Sequence, residues 1–301
     1  MKNNKLAIIL IVAVFALFAL GSGSSGSNSN SGQSSNTSSN TAPSSGSSSQ
    51  KAELPTIDEA VIFDEQGIVI TAKEIVNETI WGQGVKLLIE NNSESDMTVS
   101  ASAMAVNGYM ITDLLYETLT AGTKVNTTLH CLGTELSNAG IKNIGEVDVW
   151  FTLVNPSNYN TVFSASEPAV IKTSLYDKME TDLNVEGTEV VNQNGVRVVV
   201  KYVDENSFWG TSVLIYVENN SGRNISITAE NVSVNGFMIT GYFYSDVKDG
   251  YKAFDTMTFF DSELKENDID KIESIKMTFR AFDTDSYTTL FETDYVTVEV
   301  N

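Results

Sequence analysis

The sequence predicts an all-β protein built as two tandem β-sandwiches, and three observations predict it. Sliding the chain along itself by 128 residues leaves 29 of the 105 positions from 67 to 171 identical, without a gap. A unit of that length is a duplicated domain rather than a solenoid repeat. Apolar residues alternate with polar ones at a period of two in both copies, as half-buried strands require. Asn-Gly pairs at Asn107-Gly108 and Asn235-Gly236 stand between apolar runs, the strongest short-range hairpin signal.

Residues 1–21 open with Lys2 and Lys5, followed by an unbroken apolar run over 6–20. Ala19 and Gly21 place small residues at the −3 and −1 positions before Ser22, so the stretch reads as a signal peptide or an N-terminal membrane anchor. A lipid anchor needs a cysteine directly after such a run, and the only cysteine is Cys131. Residues 22–55 are rich in Ser, Gly and Asn. Residues 21–50 carry no charge, and a segment of that composition cannot offset its chain entropy by burial. A disordered linker with a coil dimension of roughly 30 Å is expected.

The first sandwich spans 56–172, a linker 173–187, and the second sandwich 188–301. Ile68, Ile70 and Ala72 alternate in the first copy, and Val196, Val198 and Val200 match them. Val147, Val149, Phe151 and Leu153 have Ile275, Met277, Phe279 and Ala281 as counterparts. Before each Asn-Gly turn the apolar phase slips, from Val99 and Ala101 to Met104 and Val106, and from Ile227 and Ala229 to Val232 and Val234. A bulge is predicted there in both copies. Thr134-Glu135-Leu136 and Ser262-Glu263-Leu264 predict one side-chain-capped helical turn per copy.

Seven or eight short strands per copy, with regular turns and no paired cysteines, predict a sandwich that is immunoglobulin-like in architecture only. With its Glu-Asn-Asn-Ser motif at 90–93 and 218–221, and Val-Asn-Gly-Tyr/Phe-Met at 106–110 and 234–238, the chain resembles a known group. These are the tandem immunoglobulin-like repeat proteins, exported or lipid-anchored, of Gram-positive bacteria, whose function is unknown. The resemblance covers roughly residues 60–301 and implies a fold without implying a ligand.

Thirty-nine acidic against 18 basic residues give a net charge of −21, which offers no electrostatic reason to bind nucleic acid or anionic lipid. The membrane therefore enters only through the N-terminal segment. One histidine and one cysteine leave no zinc or disulfide framework, and no cofactor or metal is expected. His130-Cys131 could suggest nucleophilic catalysis, but strand neighbours diverge, so a buried Cys131 and a surface His130 are expected. Asp283, Asp285 and Ser286 read as a solvated turn rather than a calcium loop.

The remaining candidates for ligand contact are Trp81 and Trp209, each followed by Gly, and Tyr109 and Phe237 after the hairpin turns. The favoured reading of each is that it folds back and caps its core, as a residue retained in both copies would. The expected function is non-catalytic: an exported, secreted or membrane-tethered protein serving extracellular binding or scaffolding, with a protein or glycan as partner. The alternative is a carbohydrate-binding module using the loop tryptophans.

Overall fold

The computed structural model describes residues 54–79, 81–112, 114–179, 185–207 and 210–300, with backbone only at Thr134 and 205–207. The signal or anchor segment, nearly all of the tether, residues 180–184 and Trp209 lie outside the described residues. The first copy comprises β1 (Ala60–Glu65), β2 (Ile68–Glu78), β3 (Gly82–Asn91), β4 (Met97–Val106) and β5 (Tyr109–Ile111). It continues with β6 (Tyr116–Leu119), β7 (Lys124–His130), α1 (Gly133–Ala139), β8 (Glu146–Val154), β9 (Thr161–Ser164) and β10 (Ala169–Lys172). The second copy runs through β11 (Thr188–Gln193), β12 (Val196–Ser207), β13 (Gly210–Asn219), β14 (Ile225–Val234) and β15 (Phe237–Met238). It closes with β16 (Tyr244–Val247), β17 (Lys252–Phe259), α2 (Asp261–Glu266), β18 (Ser274–Asp283), β19 (Thr289–Glu292) and β20 (Val296–Glu299).

The fold is all-β, with two tandem immunoglobulin-like sandwiches of the same topology. In the first copy β1-β2-β3-β7 form one sheet. In the other, β8 and β4 are central, with β10 and β9 sharing the outer side of β8, and β5 and β6 sharing the outer side of β4. The second copy repeats this as β11-β12-β13-β17 facing β14 and β18 with their flanking strands. Each has its own core: Ile68, Ile70, Val149 and Phe151 in the first, Val198, Ile215, Met277 and Phe279 in the second, all fully buried.

Local backbone chemistry places these strands. Asn107 and Gly108 have φ of 51° and 81°, and Asn235 and Gly236 have 50° and 88°. Two successive positive φ values make the tight turn whose twist suits a hairpin, which Asn-Gly adopts at least cost. The predicted bulges occur: the register slips between Ala101 and Ala103 against β8, and between Glu230 and Ser233 against β18. Both helical turns form, but neither has a side-chain cap. The capping positions are Leu132 and Phe260, so the capped-turn expectation is corrected.

Residues 173–179, the start of the connecting segment, pack onto the first copy. Thr173 donates from Oγ1 to the Ile144 carbonyl at 2.7 Å, and Ser174 exchanges hydrogen bonds with Thr56 at 2.8 and 3.0 Å.

The two copies also share a sheet. β5 pairs in parallel with β17, Tyr109 opposite Lys252 and Met110 opposite Ala253, giving a continuous ten-stranded sheet through both sandwiches.

Candidate functional site

The asparagines common to both copies are consumed by the fold. Asn91 is fully buried; its amide donates to the carbonyls of Ser95 (2.9 Å) and Leu119 (3.2 Å). Its Oδ1 accepts from the Ser93 N–H and hydroxyl at 3.0 and 2.7 Å. Asn219 repeats each bond with Arg223, Val247 and Ser221. A side chain with two donors and an acceptor thus ties the end of one sheet to the loop that follows it and to a strand of the other sheet. Asn107 similarly accepts from the N–H groups of Gly145 and Glu146, and Asn235 from those of Glu273 and Ser274.

The glutamate of each helical turn reaches back instead of capping. Glu135 accepts from the Thr112 N–H at 2.6 Å, and Glu263 accepts from the Thr240 N–H and hydroxyl at 3.0 and 3.1 Å.

The acidic turn at 283–286 is self-satisfied. Asp283 Oδ1 accepts from the N–H groups of Asp285 and Ser286, and Oδ2 from Arg223 at 3.0 Å. The Ser286 N–H leads the interactions that hold its carboxyl below the usual carboxylate range. Asn155 makes the same turn in the first copy through the Ser157 N–H. No cluster of three or more metal-ligating side chains occurs among the described residues.

Trp81 and His130 lie together at one end of the first sandwich. Trp81 is 36 % exposed, and its ring sits 5.5 Å from the His130 ring, centroid to centroid. Gly82, with φ of 79°, lets the chain turn under the indole. His130 is partly buried rather than on the surface, because Trp81 covers it. Its Nδ1 lies 3.9 Å from Glu78 and has no hydrogen-bond partner. Cys131 is fully buried, and burial pushes its thiol up to about 12, so the pair diverges as expected.

Beside Gly82 a cleft of about 400 Å³ opens between β3 and α1, lined by Asn77, Gln83, Ser137 and Lys142. Gln83 Oε1 is buried there without a partner. A smaller cleft of about 260 Å³ occupies the same place in the second copy, with charged Asp261, Lys265, Asp270 and Lys271.

Tyr109 has a different fate from the one expected. It is 1 % exposed, so no separate ligand reaches it: its ring stacks on Phe254 at 5.7 Å, inside the seam between the copies. Tyr216 packs on Phe254 at 5.1 Å, and Val199 and Leu214 complete an apolar face on the outer side of β12 and β13. The Lys252 ammonium lies 5.4 Å over the Tyr109 ring, and that of Lys201 4.8 Å over Phe254. On the flank Tyr251 packs edge-on to Trp150 at 5.3 Å and donates to Asp148 at 3.0 Å. Burial raises the Asp148 carboxyl, with this hydrogen bond opposing the shift.

Phe237, the counterpart of Tyr109, is 49 % exposed at an open sheet edge. Of the four candidates, Trp81 and Phe237 are at the surface, in different copies, and Tyr109 is inside.

Comparing the copies by identity misses the seam, because the signal lies in their differences. Val199, Leu214, Tyr216 and Phe254 replace Thr71, Lys86, Leu88 and Asn126 of the first copy. Three polar outer-face positions have become apolar, and Leu88 has become aromatic. That marks a sheet covered on both faces.

No protein-family model matches the sequence, and no curated protein matches it. Among solved structures, it is similar to the Salmonella enterica SafA pilin in complex with the SafB chaperone. That match has 14 % identity over 72 % of this chain and 89 % of that one, with a TM-score of 0.21. It is also similar to a protein of unknown function from Porphyromonas gingivalis W83, at 14 % identity over 72 % and 91 %, with a TM-score of 0.21.

Proposed function

We propose that this chain is a non-catalytic binding or scaffolding protein of the cell exterior. In this reading the apolar segment at 6–20 exports it, and the uncharged tether holds its paired sandwiches away from the membrane. Its partner is a protein or glycan outside the cell, and its kinship is with the tandem-repeat surface proteins of Gram-positive bacteria. One observation carries the reading. The repeated asparagines, Asn91 and Asn107 with their counterparts Asn219 and Asn235, serve turns and clamps, while the apolar Phe237 and Met238 stand exposed at the open edge of the second copy. The non-catalytic part is supported by the buried Cys131, and by a His130 whose Nδ1 lies 3.9 Å from Glu78 and has no hydrogen-bond partner among the described residues.

A second reading, glycan binding, is favoured by Trp81 at the rim of a cleft whose lining includes Asn77, Gln83 and Lys142. An indole face with nearby amides is the combination a sugar ring uses. Applying the exported chain and its Trp81→Ala variant to a glycan array, alongside capture of partners from the producing cell's surface, separates the two. Glycan binding lost in Trp81→Ala selects the second reading. Protein capture indifferent to Trp81 selects the first, and neither binding nor capture contradicts both.

A further inference from the structure

Phe237 and Met238 occupy in the second copy the places that Tyr109 and Met110 occupy in the first. In the first copy this hairpin edge receives a strand. β17 lies alongside β5 in parallel, the Lys252 N–H donates to the Gly108 carbonyl at 3.0 Å, and the Phe254 ring stacks on Tyr109. In the second copy β15 is the outermost strand of its sheet, and no strand among the described residues pairs with its outer side. Phe237 is half exposed and Met238 is 68 % exposed. Tyr244 on β16, which also pairs with β14, is exposed too, whereas Tyr242 is bridged to Thr258 of β17. Scattered apolar side chains are ordinary on a surface, whereas adjacent ones on an unpaired edge strand mark a protein contact.

A second molecule of this chain is poorly suited to that edge. Its strand equivalent to β17 is β7, but the outer face around β7 carries Lys86 and Asn126 where the seam has Leu214 and Phe254. Closing over Phe237 would strip water from the Lys86 ammonium. The β17 of a second molecule is already covered by its own β5.

We propose that the β15 edge is a strand-capture site for another protein, which adds an extended segment in parallel with a basic residue and, two positions on, an aromatic one. This rests on the binding reading above and names its surface. The β5–β17 pairing supplies the template: a backbone N–H to the hairpin glycine carbonyl, here Gly236; an ammonium over the ring of Phe237; and an aromatic stacked on that ring. The second copy carries 19 acidic and 9 basic residues over 188–301, a field that favours a basic segment.

The probe is a synthetic peptide with the sequence of residues 250–259, added to the full-length chain while amide hydrogen exchange is followed by NMR. Exchange at 236–239 is expected to slow saturably. Phe237→Asp is expected to weaken binding by about tenfold or more, the scale of one stacked aromatic contact. Met238→Asp serves as a second variant, and unchanged cooperative unfolding shows that both remain folded. A peptide carrying Lys252→Glu and Phe254→Ala is expected to leave the amides unprotected. No slowing at millimolar peptide, or equal slowing by the altered peptide, overturns the proposal. So does concentration-dependent self-association that protects the same amides and is lost in Phe237→Asp, which would make the occupant a second copy. A partner captured from the cell surface that leaves 236–239 unprotected removes this edge while the binding reading stands.

Discussion

Replacing Phe254 by the Asn that its counterpart position 126 carries should open the seam without unfolding either sandwich. The ring lies between Tyr109 and Tyr216, at 5.7 and 5.1 Å, and it points away from the second copy's own core. Removing a buried Phe costs about 3–5 kcal/mol. An amide left in a dry contact without a partner adds roughly 1–3 kcal/mol. Burial of Tyr109, Val199, Leu214, Tyr216 and Phe254 together contributes roughly 8–15 kcal/mol before any opposing term. Part of that is offset by the lost freedom of two bodies, a cost the connecting segment reduces but does not abolish. Phe254→Asn therefore removes most of the margin. Calorimetry should turn one cooperative transition into two, and small-angle scattering should report a larger radius of gyration. Asn126 in the folded first copy indicates that the second copy tolerates the residue itself. A single transition with scattering identical to the parent protein would refute the reasoning.

Asn219→Ala should cost roughly 2 kcal/mol or more, because it removes the side-chain partner of the Val247 carbonyl and of the Ser221 N–H, while the Arg223 carbonyl keeps the Ser221 hydroxyl; chemical denaturation measures it. Asp255 is only partly buried as a residue, but its carboxyl is enclosed. Burial pushes it up to about 6, with the Glu135 and Asp246 carboxylates adding and the Ser245 hydroxyl opposing. Between about pH 4 and 6 the folded chain holds a proton that the unfolded chain has released. This carboxyl's contribution should therefore rise as pH falls through that window and be lowest above pH 6. Asp255→Thr, the residue at position 127, should flatten that dependence and add about 3 kcal/mol at pH 7 in denaturant titrations. Cys131 should react with a thiol reagent only at the rate of unfolding, and labelling on mixing would contradict its burial.

The elements readable in the sequence are those whose cause is local. The Asn-Gly turns declare themselves by two residues, and the bulges by a slip of parity within one strand. The helical turns were visible, but not the role of Glu135, whose partner Thr112 is 23 residues away. Tyr109 and Phe237 look interchangeable in sequence and end in opposite environments. Their fates depend on what faces them, and that is written in Leu214 and Phe254 rather than in the hairpin. The half-buried state of His130 depends on Trp81 folding over it, which no period in β7 announces.

The central claim is that the parallel β5–β17 pairing makes the two sandwiches one rigid body, leaving β15 as the open edge. Spin labels at Glu94→Cys and Glu292→Cys, both exposed positions on different copies, allow the separation between copies to be measured by pulsed electron resonance. The native Cys131 is buried and stays unlabelled. One narrow distance distribution, broadened by Phe254→Asn, is the predicted result. A broad distribution in the parent chain would contradict the account.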